Sequence, residues 1–251
     1  MDTYTSFARV YDTFMDNIPY KEWAEYVDKL LKSYGVSEGL VLDLGCGTGS
    51  FTEEMASKGY DMIGVDNAED MLQIALEKKT KSTQDILYLL QDMREFELYG
   101  TVRAVVSVCD SMNYIIEDSD LLKVFQLVNN YLDPGGVFIF DMNTIHKYRD
   151  IEGECTIAEN REDCSFIWDN YYEEEEQINE YALTLFVKEE QDLYRKYEEI
   201  HYQKAYEIER VKELIERSGL EFVTVLDAFT TKAPEEDSER IYFVAREYEK
   251  Q

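Results

Sequence analysis

The sequence predicts an α/β fold: a parallel sheet covered on both faces by helices, with an all-β insertion late in the chain. Three observations carry this. Short apolar runs alternate with helical patterns over residues 40–141, as expected for strands buried on both faces. The segment Val41-Leu42-Asp43-Leu44-Gly45-Cys46-Gly47-Thr48-Gly49-Ser50 runs from a buried strand through a glycine loop toward a helix. Residues 145–206 then abandon the alternation and are acidic, Tyr-rich and free of glycine after Gly153.

Taken in order, Tyr4, Phe7, Ala8, Tyr11, Phe14 and Met15 recur at helical spacing, and Asn17-Ile18-Pro19 breaks that helix. A second helix carries Trp23, Val27, Leu30, Leu31 and Tyr34 on one side and stops at Gly35. Together these form a helical cap over 1–39. Val41–Leu44 is the first strand, and Phe51–Lys58 is the helix after the loop, stopped by Gly59. Met62–Val65 is a strand ending at Asp66, with Asn67 a candidate cap for the helix Glu69–Lys79. Ile86–Leu90 leads to Gln91-Asp92-Met93, and Ala104–Val108 leads to Cys109-Asp110-Ser111. Ser119 is placed to cap a helix bearing Leu121, Phe125, Val128 and Leu132. Asp133-Pro134-Gly135-Gly136 has the residues of a type II turn before the fifth strand, Val137–Phe140. The insertion reads as three long strands near 164–174, 178–190 and 193–206. Glu207–Arg217 resumes a helix, and Glu221–Phe229 and Ile241–Arg246 form a closing strand pair.

Composition limits the function. The chain of 251 residues fits one large domain, or one domain with a substantial insertion. No apolar run approaches the roughly 20 residues needed to span a bilayer. No basic start followed by an apolar stretch marks a leader, so a cytoplasmic protein is the expectation. The formal charge of −29 repels phosphate backbones and anionic lipid, which disfavours nucleic acid and membrane as partners. It does not identify a cationic substrate, because a solvated surface explains it as well. Cys46, Cys109, Cys155 and Cys164 form no C-x-x-C pair, and with two histidines there is no zinc pattern. They read as small, reduced side chains, and no metal is expected.

The glycine loop points to a nucleotide-type cofactor. Glycines let the backbone approach a ligand, and N–H groups at the start of the following helix face it. The dinucleotide fingerprint G-x-G-x-x-G would place its third glycine at position 50, which is Ser50. The chain offers G-x-G-x-G led by Asp43. A carboxylate beneath such a loop suits the ammonium of S-adenosylmethionine better than a pyrophosphate.

Here the chain resembles the class I S-adenosylmethionine-dependent methyltransferases, whose first motif reads much like VLDLGCGTGS. The resemblance covers 40–141 strongly and 207–247 in outline. It implies a Rossmann-like sheet of seven strands with the last pair antiparallel, over 40–144 and 207–251, and an inserted antiparallel β lid over 145–206. Tyr11-Asp12, Pro19-Tyr20 with Trp23, Cys109-Asp110-Ser111-Met112-Asn113-Tyr114, and Glu199 with His201 look most like an uncharacterised bacterial family of this class.

The resemblance also implies roles. Gly45, Cys46, Gly47 and Gly49 would wrap the aminoacyl part of S-adenosylmethionine, with Asp43 orienting its ammonium. Asp66 would accept both ribose hydroxyls, each charge-assisted bond contributing roughly 1.5–3 kcal/mol; alternatively it caps a helix. Asn67 and Met71 would border the adenine. Asp92 would hold the adenine amino group and the Met93 N–H would reach the ring, unless Asp92 only pairs with Arg94. Cys109 and Asp110 would lie beside the sulfonium. Tyr4 and Tyr11 share a helical face suited to an aromatic lid, or to ordinary packing. His201, Asp110 and Tyr11 are the candidate catalytic residues. His201 alternates with Tyr197, Glu199 and Gln203 on a polar strand face, as an active-site base or as a solvent-facing residue; His146 is a weaker candidate. The Asn/Asp-Pro-Pro-aromatic sequence of nucleobase amino-methylating enzymes and the Pro-Cys pair of cytosine C5 enzymes are both absent. The expected reaction is therefore in-line transfer to N or O of an acceptor, a small molecule ahead of a protein. A non-catalytic cofactor-binding interaction protein is the rival from another class.

Overall fold

The computed structural model describes residues 8–16, 18–189 and 193–250. Two helices, α1 (Ala8–Phe14) and α2 (Tyr20–Ser33), precede the sheet. The alternation then runs β1 (Gly39–Leu44), α3 (Ser50–Ser57), β2 (Tyr60–Asp66), α4 (Glu69–Ser82), β3 (Ile86–Leu90), β4 (Val102–Ser107), α5 (Asp118–Tyr131) and β5 (Leu132–Asn143). After the insertion, α6 (Ile208–Arg217) leads to β10 (Glu221–Asp227) and β11 (Arg240–Arg246). The seven-stranded sheet has the order β10-β11-β5-β4-β1-β2-β3. β11 runs antiparallel to both β5 and β10, and the remaining pairs are parallel.

Side-chain alternation along the strands builds a core on each face. Leu42 and Leu44 join Val105, Phe138, Phe140 and Phe243 beneath α5 and α6. Val41, Val106, Ile139 and Val244 lie on the other face beneath Trp23, Val27 and Leu31 of α2 and Phe51 and Met55 of α3. Phe140 stacks between Phe138 and Phe243, with centroids 4.6 and 5.0 Å away. Truncating this fully buried ring to alanine costs about 3–5 kcal/mol.

The insertion forms a separate four-stranded antiparallel sheet, ordered β6 (Cys155–Asn160), β7 (Cys164–Glu173), β8 (Ile178–Lys188) and β9 (Tyr194–Lys204). The sequence predicts three of these strands. β6 adds a fourth, and a turn of π-helix, Lys147–Glu152, leads into it. Its run CTIAEN has one large apolar residue and is mostly exposed, so no hydrophobic period reveals it.

Two caps differ from expectation. Ala68, not Asn67, is the N-cap of α4, and the Asp66 carboxylate accepts the Ala68 N–H at 2.9 Å. α5 starts at Asp118 with Glu117 as its N-cap, so Ser119 lies inside the helix. The expected caps miss in opposite directions: Asn67 falls one residue before the observed cap and Ser119 two residues after it.

Candidate active site

The strand order reverses between β1 and β4, which opens a crevice at the C-terminal ends of the parallel strands. A cavity of about 290 Å³ occupies it. Asp43 and the glycine loop line it from β1, Asp66 and Asn67 from β2, Asp92 and Met93 from β3, and Cys109 and Ser111 from β4. Met71 of α4, Tyr11 of α1 and Tyr20 of α2 also face it.

Gly45, Cys46 and Gly47 line the cavity, whereas Gly49 lies behind it. A Cβ on Gly49 (φ +75°) would stand 2.4 Å from Tyr88 Oη, so Gly49 lets α3 and β3 close on each other. A Cβ on Gly47 (φ +53°) would meet nothing within 4 Å. At that position the backbone itself faces the open cavity.

Asp43 is 1% exposed. Its Oδ2 accepts a 2.6 Å bond from Thr52 Oγ1, while Oδ1 has no partner among the described residues. Burial pushes this carboxyl up to about 7, against the Thr52 bond and with help from the nearby Asp66 charge. The Asp66 carboxylate accepts the Gly47 N–H at 2.7 Å through Oδ2 and the Ala68 N–H through Oδ1. It therefore ties the glycine loop to the start of α4, and burial raises its pKa despite these bonds. Asp92 is held by Arg94, whose Nε donates to Oδ1 at 2.9 Å. The Arg94 contact keeps this carboxyl below the usual range. Both residues line the cavity.

The loop after β4 has an unusual backbone. Cys109 and Asp110 both have left-handed φ, +61° and +52°. The buried Asp141 carboxylate of β5 accepts the N–H of each, at 3.2 and 2.7 Å. Arg240 of β11 donates to Asp141 at 2.8 Å and to Asp110 at 2.7 Å. Gln203 of β9 donates to the other Asp110 oxygen at 2.7 Å. Burial alone would raise the Asp110 carboxyl, but Arg240, Lys147 and Gln203 hold it below the usual carboxylate range. Cys109 faces the cavity, whereas the Asp110 carboxylate is spent on these partners and does not line it.

Tyr11 and Tyr20 share a hydrogen bond between their side chains at the cavity wall. Asp12, next to Tyr11, accepts from Thr48 at 2.7 Å and pairs with Lys78 at 2.7 Å, which fixes α1 on the glycine loop. Tyr4 lies outside the described residues. His201 does not line the cavity; it is 5% exposed on the inner face of the lid sheet. Its Nε2 is 3.3 Å from Glu199, and its ring meets edge-on that of Tyr114, which lines the cavity, with centroids 6.1 Å apart. The solvent-facing alternative for this strand face thus gives way to a buried one. His146 pairs with Asp150 at 2.9 Å, away from the cavity.

Sequence reasoning missed Arg240, Gln203 as a link, and Tyr20 as a cavity residue. Tyr20 belongs to the Pro19-Tyr20 pair that the family resemblance singles out. Arg240 has no local signal, since Asp110 is 130 positions away.

The sequence pattern of the family described as "Methyltransferase domain" matches residues 41–136. A protein of Geobacillus sp. (strain WCH70) named as a methyltransferase is 35% identical over 97% of this chain and 99% of its own. The crystal structure of an S-adenosylmethionine-dependent methyltransferase from Clostridium acetobutylicum ATCC 824 aligns with a TM-score of 0.86 at 28% identity, over 98% of this chain and 99% of that one. The chain belongs to the S-adenosylmethionine-dependent methyltransferases. This methyltransferase is also 31% identical to the dTDP-3-amino-3,4,6-trideoxy-alpha-D-glucopyranose N,N-dimethyltransferase of Streptomyces venezuelae, over 53% of this chain and 56% of that one.

S-adenosylmethionine is its cofactor, and the cavity fits that molecule. A buried acceptor without a donor among the described residues, Asp43 Oδ1, belongs to a residue that lines the cavity, and an ammonium there would satisfy it. The open side of Gly47 leaves room for close backbone approach. Among the described residues no helix is long and apolar enough to cross a membrane.

Proposed function

We propose that this methyltransferase transfers the methyl group to a nitrogen or oxygen of a small-molecule acceptor, held between the cavity and the inner face of the lid. The observation that carries this is the docking of the lid beside the cavity: Gln203 bonds Asp110 in the loop after β4, and His201 packs on Tyr114, which lines the cavity. A cavity roofed in this way encloses an acceptor of small-molecule size. The N,N-dimethyltransferase relative, whose name specifies an amino sugar, supports an acceptor of that size.

In this reading Asp43 Oδ1 takes the cofactor ammonium, and Gly45, Cys46 and Gly47 follow its aminoacyl part. Asp66 keeps lone pairs free for the ribose hydroxyls. Asn67, Met71 and Met93 border the adenine, whose amino group competes with Arg94 for the Asp92 carboxylate. Cys109 and the tyrosine pair, Tyr11 and Tyr20, flank the sulfonium; an aromatic face there contributes about 0.5–2 kcal/mol. When bound, S-adenosylmethionine supplies an activated methyl that an acceptor lone pair takes in line, leaving S-adenosylhomocysteine. The chain's own task is alignment, worth up to roughly 7–11 kcal/mol. In this reading His201, behind Tyr114, takes a proton from a protonated acceptor, and Tyr11, whose phenol burial keeps protonated, orients the acceptor at the cavity. Asp110 acts as a buried anchor. The protein works in the cytoplasm on a diffusible substrate.

Transfer of labelled methyl from S-adenosylmethionine to a panel of amines, hydroxy compounds and proteins tests this. Labelling of a small amine or alcohol supports it; labelling confined to proteins contradicts it.

A further inference from the structure

A chain of buried hydrogen bonds joins the lid to the cofactor cavity through one side chain. On the lid side, Tyr148 donates to Gln203 Oε1 at 2.8 Å and Gln203 Nε2 donates to Asp110 Oδ2 at 2.7 Å. On the sheet side, Arg240 donates to Asp110 Oδ1 at 2.7 Å and stacks over Trp23, 5.1 Å from the ring centre. On the cavity side, Cys109 lines the wall, and Ser111 donates to the Gly45 carbonyl at 3.2 Å. Asp110 thus stands where the lid, the terminal hairpin and the glycine loop converge.

The backbone there needs such an anchor. Two successive non-glycine residues in the left-handed region are strained by the close approach of Cβ to the following carbonyl. They persist only where the surroundings over-determine them. Asp141 fixes both N–H groups from below. Asp110 is the side chain through which partners above and beside the loop add to that hold. Gln203 and Asp141 are both fully buried, so water does not stand in for either without rearrangement.

From this geometry we infer that Gln203 and Arg240 are positioning residues. Through Asp110 they lock the left-handed Cys109–Asp110 pair, so that seating of the lid sets the cavity wall against the glycine loop. Neither touches the cofactor in this arrangement. The inference rests on the cofactor occupying this cavity, as proposed above, and not on the identity of the acceptor. It gives the lid a second role besides roofing an acceptor, because its docking prepares the cofactor wall before any acceptor arrives.

The test is a double-mutant cycle on Gln203→Ala and Asp110→Asn. Calorimetry would give the Kd for S-adenosylhomocysteine, and hydrogen–deuterium exchange would follow the amides of 109–114. Each single variant is expected to weaken binding about tenfold, or about 1.4 kcal/mol, and to speed exchange in that segment. The double variant is expected to be no weaker than the worse single one, because both act through one contact. If Gln203→Ala fails to fold, Gln203→Asn shortens the same side chain and carries the same test. Lowered thermal stability with wild-type Kd and wild-type exchange would overturn the inference, and so would losses that multiply to about a hundredfold. Failure of the wild type itself to bind would strike the cavity assignment instead, and the exchange of 109–114 would then decide the clasp alone.

Discussion

Thr52 satisfies only one oxygen of Asp43: its hydroxyl donates to Oδ2 at 2.6 Å, and the equally enclosed Oδ1 meets no donor among the described residues. A buried acceptor left open in this way is costly in the free protein and valuable once a cation reaches it. Under the proposed reading, Oδ1 is the oxygen that the cofactor ammonium meets.

The pH behaviour follows from that arrangement. The Asp43 carboxyl is raised to about 7 in the fold, against about 3.9 unfolded. Between these values the native state binds more protons than the unfolded chain, so this group's contribution to stability falls as pH rises from about 4 to about 7. Unfolding of the ligand-free protein at pH 5 and pH 8 should show wild type losing stability relative to Asp43→Asn. A difference between the two that stays constant with pH would contradict this.

The same group makes cofactor affinity pH-dependent with the opposite slope. An ammonium against Asp43 favours the carboxylate, so binding releases a proton below pH about 7 and tightens as pH rises. Calorimetry in buffers of different ionisation enthalpy measures that release. Asp43→Asn should abolish it and weaken binding by at least tenfold.

Two glycines of one loop should fail in different ways. Gly49→Ala pushes a Cβ to within 2.4 Å of Tyr88 Oη at a positive φ, and it should cost about 1–3 kcal/mol of stability. Gly47→Ala meets no protein atom within 4 Å; it should cost about 1 kcal/mol for its backbone while blocking the cofactor. Thermal unfolding beside S-adenosylhomocysteine titration separates the two outcomes.

Lys78 tests the hold on α1. It pairs with Asp12 at 2.7 Å and donates to Thr48 and Ser50 at 2.9 and 2.6 Å, which binds the Tyr11 helix to the glycine loop. The ion pair is partly exposed, so Lys78→Met should change global stability by less than about 1 kcal/mol. Limited proteolysis near α1 should nonetheless quicken, and cofactor binding should weaken several-fold. Unchanged proteolysis would show that α1 is held by other contacts.

What the sequence reveals follows the range of the interactions involved. Strand β1, its glycine loop and Asp66 are legible because each is fixed by neighbours within one βαβ unit. Alternation of those units predicts a parallel sheet, whereas the seven strands with their antiparallel closing pair come from the family resemblance. β6 is not legible, since a short exposed edge strand carries no apolar period. The burial of His201 is hidden for a related reason. Tyr197, Glu199, His201 and Gln203 form a polar row, and only the docking of the lid onto Tyr114 and Asp110 turns it inward. Arg240 is hidden most deeply, because its meaning depends on strands that pair only when β11 returns beside β5.

Calorimetric titration with S-adenosylmethionine, wild type beside Asp43→Asn, tests the central assignment most directly. The account predicts micromolar binding at pH 8 by the wild type, accompanied by proton release at lower pH, with both lost in a variant that remains folded. Wild-type affinity retained by Asp43→Asn would contradict it, because the cofactor would then be held without the buried acceptor that Asp43 leaves open at the cavity.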